Sequence, residues 1–262
     1  MNYFELIKNR RSVRTFKESI NEEDLNKILE FAKNVSNPYN IKIRWQIIDN
    51  KKLKLNVPVI TGTDIYIAGI MPKHVHSEEA FGYTFEQVVL YCESLGIGTT
   101  WIAGTMDRAG FEKAVDLKED EVMPCISPLG YPADKMAFRE VMMRKGIKAD
   151  TRKDNKELFF EDNFDKPLVN NNYKEVLEAI KWAPSAVNKQ PWRVVLRNNV
   201  FNFYERKDKG YGHDGFDIQR IDIGIAMAHF VLTINKEVEF VLNEPEIILP
   251  ENTYYIGSYV VK

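Results

Sequence analysis

The feature that most restricts the fold of this chain is an internal repeat of a helix, an irregular loop and a strand. An apolar stripe with helical spacing runs through residues 21–35, and the loop SNPYN separates it from a strand-like run at 41–48. The same order returns in the second half, where a stripe of identical spacing precedes the loop APSAVN and the strand-like run 192–196. At an offset of 148 the two stretches pair Asn40 with Asn188.

A second pair of helical segments supports duplication. The apolar steps that begin at Phe81 are repeated from Ile221, 140 positions later. Two matches in the same order favour two packed copies of one plan over the chance similarity that any α+β protein can have. We therefore predict a first half at residues 1–150 and a shorter second half at residues 151–262, with a polar boundary between them.

Composition excludes several classes of protein. The formal net charge of −2 gives no general affinity for nucleic acid or anionic membrane, so any anion site must be local. No apolar stretch reaches the roughly 20 residues that span a bilayer, and the N-terminus lacks the pattern of a secretory signal peptide. Cys92 and Cys125 are too few for a disulfide framework and lie in apolar patterns, so we expect both in the core and the protein in the cytoplasm.

The first chemical candidate is the segment RRSVR at residues 10–14. In an extended segment, Arg10, Ser12 and Arg14 point to one side. Two guanidinium groups and a hydroxyl on one side suit a phosphate, because the guanidinium is a planar fork of hydrogen-bond donors. The alternative is a solvated basic patch near the negative C-terminal end of a short helix.

The second candidate is the loop APSAVNKQPW at residues 183–192, which lies between a predicted helix and a predicted strand and has a proline near each end. Ser185, Asn188 and Gln190 are neutral hydrogen-bonding side chains. A planar ring with alternating donors and acceptors needs this kind of lining. The alternative is a loop whose polar side chains satisfy its own backbone.

Two further segments follow predicted secondary structure. LGIGTTWIAG at 95–104 follows a long helix, whereas the dinucleotide-binding fingerprint follows a strand and opens a helix, so we reject that reading. A helix C-cap and a buried strand explain its glycines.

PLGYP at 128–132 is a strand end and turn, and Lys135 and Arg139 lie beyond it. These cations either approach the phosphate expected at Arg10 or are ordinary surface charge.

Together the four segments resemble the landmarks of the FMN-dependent nitroreductase family. They span most of the first half and the start of the second. The first half has SNPYNIKIRW in place of the proline-flanked loop, and the second half has no RRS-like start, so the chain resembles the fused, two-lobed branch labelled "putative TM nitroreductase". The resemblance implies an α+β, nitroreductase-like fold in which two tandem, unequal copies form an intramolecular pseudo-dimer.

The complementary losses imply one complete FMN site per chain, between the halves, because one subunit of the usual homodimer supplies the arginine segment and the other supplies the loop. The resemblance assigns the phosphate, ribityl chain and ring edge to Arg10, Arg11, Ser12 and Arg14, further phosphate contacts to Lys135 and Arg139, flavin N5 to the backbone N–H groups near Ala103 and Gly104, and the isoalloxazine border to Pro184, Ser185, Ala186, Asn188 and Gln190.

The function implied by the resemblance is an FMN-dependent oxidoreductase. It uses NADH or NADPH as co-substrate and reduces nitroaromatic, quinone or similar acceptors by ping-pong hydride transfer. No catalytic side chain, metal, nucleic acid or membrane is required, and we expect a monomer or a weak homo-oligomer. The alternatives are FMN binding without turnover, a relative that performs dehalogenation or flavin breakdown, and a scaffold without flavin. The glycine-rich run 209–217 is a loop that could cover the site.

Overall fold

The computed structural model describes residues 1–169, 171–213 and 215–262. Within these residues the helices are α1 (Tyr3–Asn9), α2 (Glu22–Asn34), α3 (Asn50–Leu53), α4 (Ser77–Ser94), α5 (Arg108–Ala114), α6 (Phe138–Gly146), α7 (Asn155–Leu158), α8 (Lys174–Lys181) and α9 (Ile218–Thr233), and a short 3₁₀ helix covers Ala186–Asn188. The strands are β1 (Phe16–Ser19), β2 (Arg44–Asp49), β3 (Ile65–Pro72), β4 (Glu121–Val122), β5 (Ile126–Pro128), β6 (Gly130–Pro132), β7 (Phe159–Glu161), β8 (Trp192–Arg197), β9 (Val200–Arg206), β10 (Gly212–His213), β11 (Phe216–Asp217), β12 (Val238–Val241) and β13 (Thr253–Val261).

The chain divides into two compact units, each with contributions from separate segments. The first unit contains Met1, Asn9–Ser77 and Thr84–Lys148. The second unit contains Asn2–Lys8, Glu78–Tyr83 and Ala149–Lys262. Most of α1 and six residues of α4 therefore belong with the second unit, although both precede residue 150 in the sequence.

The first unit is built on an antiparallel sheet. Among the residues that the structure describes, this sheet has four strands, with β3 between β2 and β4 and with β5 also paired to β3. Strand β1 pairs separately with β6. The buried core of this unit includes Phe16, Tyr66 and Phe111. The arginine segment immediately precedes β1, so the core contact of Phe16 fixes the end of that segment.

The second unit is built on a sheet of five strands, counted over the described part of the chain, in the order β12-β13-β9-β8-β7. Neighbouring strands are antiparallel, except that β7 runs parallel to β8. Helix α9 packs on β8 and β9, and α8 packs against α9. Phe201 and Phe203 of the sheet contact Phe230 of α9, so aromatic packing closes this face of the sheet.

Two glycines allow residues 78–83 of α4 to cross α9 at very short range within the second unit. A Cβ added at Gly82 would lie 2.0 Å from the carbonyl oxygen of Ile221, and one at Gly224 would lie 2.1 Å from that of Glu79. The contacts are reciprocal, since Gly82 and Gly224 are 142 positions apart and so are Glu79 and Ile221. The close approaches thus relate the two helices at 142 positions, whereas the apolar steps in the sequence relate them at 140.

The repeated helix–loop–strand plan is confirmed. Helix α2 leads into β2, and α8 leads into β8. Asn40 and Asn188, paired by the sequence offset, both have left-handed backbones, with φ of 55° and 57°. Strand β2 begins later than the predicted run at 41–48, because the Asn37 side chain donates to Ile41 O and accepts from Ile41 N. Those backbone groups are therefore engaged by the loop.

The segment after α4 differs from its prediction. Gly96 has a φ of 72° and ends the helix, as expected for a C-cap. The buried strand expected beyond it is not regular. Gly98 pairs with Gly130, whereas Ile102 pairs with Ile126, both in isolated bridges. The two bridges share one antiparallel register, but between them Thr100 N donates to the Ser127 side chain instead of to a backbone carbonyl, so the ladder is not continuous. In the run 209–217, β10 and β11 pair with each other, and Asp214 lies outside the described residues.

Candidate functional site

The segment RRSVR is fixed by backbone contacts within the first unit. Ser12 and Thr99 form a parallel β-bridge, in which Val13 N donates to Thr99 O over 2.8 Å. Thr61 N donates to Arg14 O over 3.0 Å. The side chain of Val13 is buried in the core of the unit, so the segment is anchored at its centre.

Arg10 is a buried cation with unused hydrogen-bond donors. Only 9% of its surface is exposed, and its Nε lies 3.6 Å from Oε1 of the fully buried Glu86 of α4. That distance permits an ion pair but not a hydrogen bond. Within the described residues, Nε and Nη1 of Arg10 have no hydrogen-bond acceptor. Since buried donors are nearly always satisfied, Arg10 has the properties of an anion-binding residue.

Arg11 and Arg14 are associated with a different carboxylate, Glu140 of α6, which is 2% exposed. Arg11 Nη1 donates to Glu140 Oε1 over 2.9 Å, and Arg14 N donates to Oε2 over 3.2 Å. Thr15 Oγ1 also donates to Oε2, over 2.8 Å. Burial lowers the pKa of the Arg14 guanidinium, and Glu140 opposes this shift. The positive charge of Arg11 is therefore neutralised by a hydrogen-bonded ion pair with Glu140. Arg10 has only the longer ion pair with Glu86, which accepts no hydrogen bond from its Nε or Nη1.

The backbone at Ala103 and Gly104 presents free N–H groups. Arg108 of α5 holds this turn, because its Nη2 donates to Ala103 O and its Nη1 donates to Met123 O, each over 2.7 Å. In the described part of the chain the N–H groups of Ala103 and Gly104 donate no hydrogen bond. A Cβ at Gly104 would have no atom within 4 Å, so the space above the turn is open within this unit.

The two cations beyond β6 lie at the surface of the first unit. Lys135 and Arg139 are both exposed. Arg139 Nη1 donates to Pro58 O over 2.7 Å. The neighbouring residue Glu140, rather than Arg139, connects this part of the chain to the arginine segment.

The proline-flanked loop of the second unit has an unusual backbone. Val187, Asn188 and Gln190 have φ values of 50°, 57° and 52°. Left-handed backbone is tolerated by asparagine but is an outlier for a β-branched residue such as valine. The loop is fastened to α9, because the N–H of Ala186 donates to both carboxyl oxygens of Asp222 over 3.2 and 3.1 Å. Strain of this kind persists only where surrounding contacts impose it.

The polar side chains of this loop already have acceptors and donors within the second unit. Asn188 Nδ2 donates to Thr151 O over 3.1 Å, and Gln190 Nε2 donates to Asn188 Oδ1 over 3.2 Å. Gln190 Oε1 accepts from Lys153 N over 2.9 Å. Ser185 Oγ accepts from Gln190 N over 2.9 Å. Ser185 therefore bonds within its own loop, whereas Asn188 and Gln190 also bond to Thr151 and Lys153, which lie outside the loop.

Buried acids lie around the attachment point of the loop. Burial raises the pKa of Asp222 well above its ordinary value, although the hydrogen bond from Ala186 opposes this shift. Burial likewise raises the pKa of Glu205 to about 7, and Asp217 adds to the effect while Lys207 opposes it. The environment of this loop therefore disfavours added negative charge, whereas that of Arg10 favours it.

Comparison with known proteins decides the family. A family model described as "Putative TM nitroreductase" matches residues 2–234. The chain belongs to this nitroreductase family. A crystal structure of a "putative nitroreductase" from Thermotoga maritima superposes with a TM-score of 0.61 and 22% identity, covering 100% of this chain and 94% of that one. The α+β, nitroreductase-like fold is thereby confirmed.

Shorter nitroreductases match about half of this family member. A nitroreductase family protein from Clostridium novyi NT covers 51% of the chain at 21% identity and a TM-score of 0.45. An "FMN-dependent Nitroreductase" from Clostridium difficile R20291 covers 51% at 19% identity and a TM-score of 0.44. The matches extend over 87% and 90% of those two chains.

A search of curated proteins finds no significant match. Among the described residues of this nitroreductase, none of the helices combines the length and the hydropathy that a membrane span requires.

Three carboxylates of this nitroreductase organise the predicted segments and were missed from the sequence. Glu86 faces Arg10, Glu140 joins Arg11, and Asp222 holds the loop at Ala186. Glu86 and Asp222 occur inside apolar helical runs, TFEQVVLY and IDIGIAMAHF. A charged residue in such a run is rarely buried unless it is paired, and that pattern could have identified both. Glu140 gives no comparable signal, because its helix, FREVMMRKG, alternates charged and apolar residues and has no continuous apolar run around the glutamate.

Proposed function

We propose that this chain is an FMN-dependent NAD(P)H oxidoreductase that reduces nitroaromatic, quinone or similar acceptors by ping-pong hydride transfer. In this proposal, each chain binds one FMN with residues from both sequence halves. The family match supports an oxidoreductase of the nitroreductase type. The choice of FMN rests on the sequence landmarks and on the fit of particular residues to its phosphate and ring.

The observation that carries the proposal is the buried guanidinium of Arg10. A nearly inaccessible cation whose Nε and Nη1 lack acceptors in the described residues requires a compensating group. The phosphate of FMN supplies charged oxygen acceptors, and charge-assisted hydrogen bonds are among the strongest that side chains make. Glu86 offsets part of the positive charge of Arg10 but accepts no hydrogen bond from its Nε or Nη1. These two donors can therefore still bind an external anion.

The other predicted residues have roles of different strength in this proposal. Arg14 adds a desolvated positive charge, whereas Arg11 acts through Glu140 by holding the segment in position. The free N–H groups at Ala103 and Gly104 suit flavin N5, since donors at that position stabilise the negative charge of a reduced ring. Pro184, Ser185 and Ala186 would provide a rigid border for the ring, because Asn188 and Gln190 are already engaged with each other and with the backbone of Thr151 and Lys153.

When bound, FMN accepts hydride from NAD(P)H and passes the reducing equivalents to an acceptor. The protein contributes binding, orientation and electrostatics. Arg10 and Arg14 would hold the anionic end by charge, the turn at Ala103 and Gly104 would offer fixed N–H dipoles to the ring, and the loop around Ala186 would limit the positions that the ring can take. The catalytic contribution of the chain is thus preorganised polar geometry rather than proton transfer by a side chain.

The test is the visible absorbance of the purified protein, followed by anaerobic addition of NADH and NADPH. We expect a flavin spectrum with about one FMN per chain and bleaching by at least one nicotinamide. A flavin spectrum without bleaching would select FMN binding without turnover. A colourless protein that cannot be reconstituted with FMN would overturn the proposal.

A further inference from the structure

A cavity of about 410 Å³ lies in the second unit, and none of the residues that the sequence assigns to the flavin lines it. A volume of this order accommodates a small organic ligand. Its wall contains three cations, namely Lys153, Arg193 and Arg206. The cavity therefore shares no residue with the proposed FMN site, and the proposed binding of FMN does not account for its three cations.

The cations lack ion-pair partners in the part of the chain that the structure describes, since no carboxylate oxygen lies within 4.0 Å of Lys153, Arg193 or Arg206. Arg193 Nη1 donates only to the carbonyl oxygens of Gln190 and Trp192. Burial lowers the pKa of Arg193 to about 10, and the charge of Arg206 adds to this shift. Burial and the charge of Arg193 also lower the pKa of Lys153.

The two acids of the same wall are engaged elsewhere. Glu157 Oε1 accepts from Asp154 N in the capping box of α7. Asp208 Oδ2 accepts from Gln219 Nε2 over 3.0 Å, and its Oδ1 lies 4.0 Å from Lys189 Nζ. In the described residues neither acid is within ion-pair distance of the three cations, so their charges offset those of Arg193 and Lys153 only in part, and an external anion can still bind.

Aromatic rings complete the wall. By strand pairing, Phe160 is opposite Val195, two residues from Arg193, so Phe160 and Arg193 lie on the same face of the sheet. Phe164 packs against Phe160, with ring centroids 5.3 Å apart, and both rings line the cavity. A ligand that carries an aromatic ring as well as a negative charge would satisfy both parts of this wall.

We propose that this cavity binds a small aromatic oxyanion, with the charged group at Lys153, Arg193 and Arg206 and the ring against Phe160 and Phe164. A phosphate or a carboxylate can supply the charge, because guanidinium groups bind both as planar forks. The site does not depend on the proposed flavin chemistry, so it can be tested on protein saturated with FMN.

The test is calorimetric titration of the FMN-saturated protein with phenyl phosphate, benzoate and inorganic phosphate. We expect saturable binding of phenyl phosphate or benzoate, about one per chain, and weaker binding of inorganic phosphate, which has no ring. Lys153→Gln and Arg206→Gln should each weaken binding at least about tenfold. Neither change removes a described hydrogen bond to the proline-flanked loop, because Lys153 and Arg206 contact it through their backbone N–H groups.

Lys156→Gln is the matched control, since Lys156 is an exposed residue of α7, three positions after Lys153, and does not line the cavity. It should change affinity less than about twofold. Phe164→Ser should weaken phenyl phosphate but not inorganic phosphate. The proposal is overturned if no aromatic oxyanion binds saturably, if Lys153→Gln and Arg206→Gln bind as the wild type does, or if excess free FMN competes with the ligand. Equal affinity for inorganic phosphate and phenyl phosphate would show that Phe160 and Phe164 do not bind the ring of the ligand.

Discussion

The arginine segment of the first unit and the proline-flanked loop of the second unit differ in what their polar groups can still bind. Arg10 is buried with unused donors, whereas Asn188 and Gln190 bond to each other and to nearby backbone. The charge environments also differ, since acids with raised pKa values lie around the loop. The comparison suggests that the first segment binds an anion through side chains, while the second offers a shaped, neutral border.

The largest effect should come from Arg10→Ala. We expect FMN affinity to fall at least about 100-fold, because more than one charge-assisted hydrogen bond is lost. The apo-protein should also lose about 3 kcal/mol of unfolding free energy, since Glu86 remains buried without its cation. Fluorescence titration with FMN and urea denaturation measure the two effects separately.

The double variant Arg10→Ala/Glu86→Gln is the matched control for that experiment. Removal of the buried negative charge should restore most of the apo-protein's stability but none of its FMN affinity. If the double variant recovered FMN binding as well, Arg10 would be a structural residue and the contrast between the two regions would disappear.

The acids near the loop predict a pH dependence of stability. The folded-state pKa of Glu205 is about 7 and its ordinary value is 4.5, so folding favours the neutral form. The stability that Glu205 contributes is fully present below about pH 4.5 and is lost as the pH rises through 7, a change of about 3 kcal/mol. Glu205→Gln should flatten this part of the profile, measured by denaturation at several pH values. The exposed Glu251→Gln should leave the profile unchanged; equal profiles for both variants would contradict the assignment.

A smaller effect is expected from Asn188→Ala in the loop. Loss of its bonds to Thr151 and Gln190 should loosen the border and weaken FMN binding about three- to tenfold. Asn188→Gly separates two causes, because glycine keeps the left-handed backbone but lacks the side chain. Unchanged FMN affinity in both variants would remove this loop from the proposed site.

The smallest effect should follow Val187→Asn. Valine at a φ of 50° is strained, and its side chain is exposed, so asparagine should raise the unfolding free energy by about 1 kcal/mol. FMN affinity should change less than about twofold, because no contact of the side chain is involved. A loss of stability on denaturation would show that the valine contributes packing that offsets its backbone strain.

Much of the fold follows from patterns visible in the sequence, whereas the environment of each site residue does not. The apolar stripes of α2 and α8 and the loops at Asn40 and Asn188 are local features, and the structure confirms them. The strand boundaries were less accurate, because Asn37 captures the backbone of Ile41. The expected grouping of Arg10, Ser12 and Arg14 gave no indication that Arg10 and Arg11 would face different carboxylates.

The sequence by itself determined the family, the repeated plan and the segments that carry chemistry, because residue types and short-range spacing contain that information. Only the tertiary structure decided which guanidinium has unused donors, which polar side chains are already bonded and where three cations share a cavity. The physical reason is distance along the chain. Arg10 meets Glu86, and Ala186 meets Asp222, through packing of elements far apart in sequence, and burial then sets the charge and hydrogen bonding of each group.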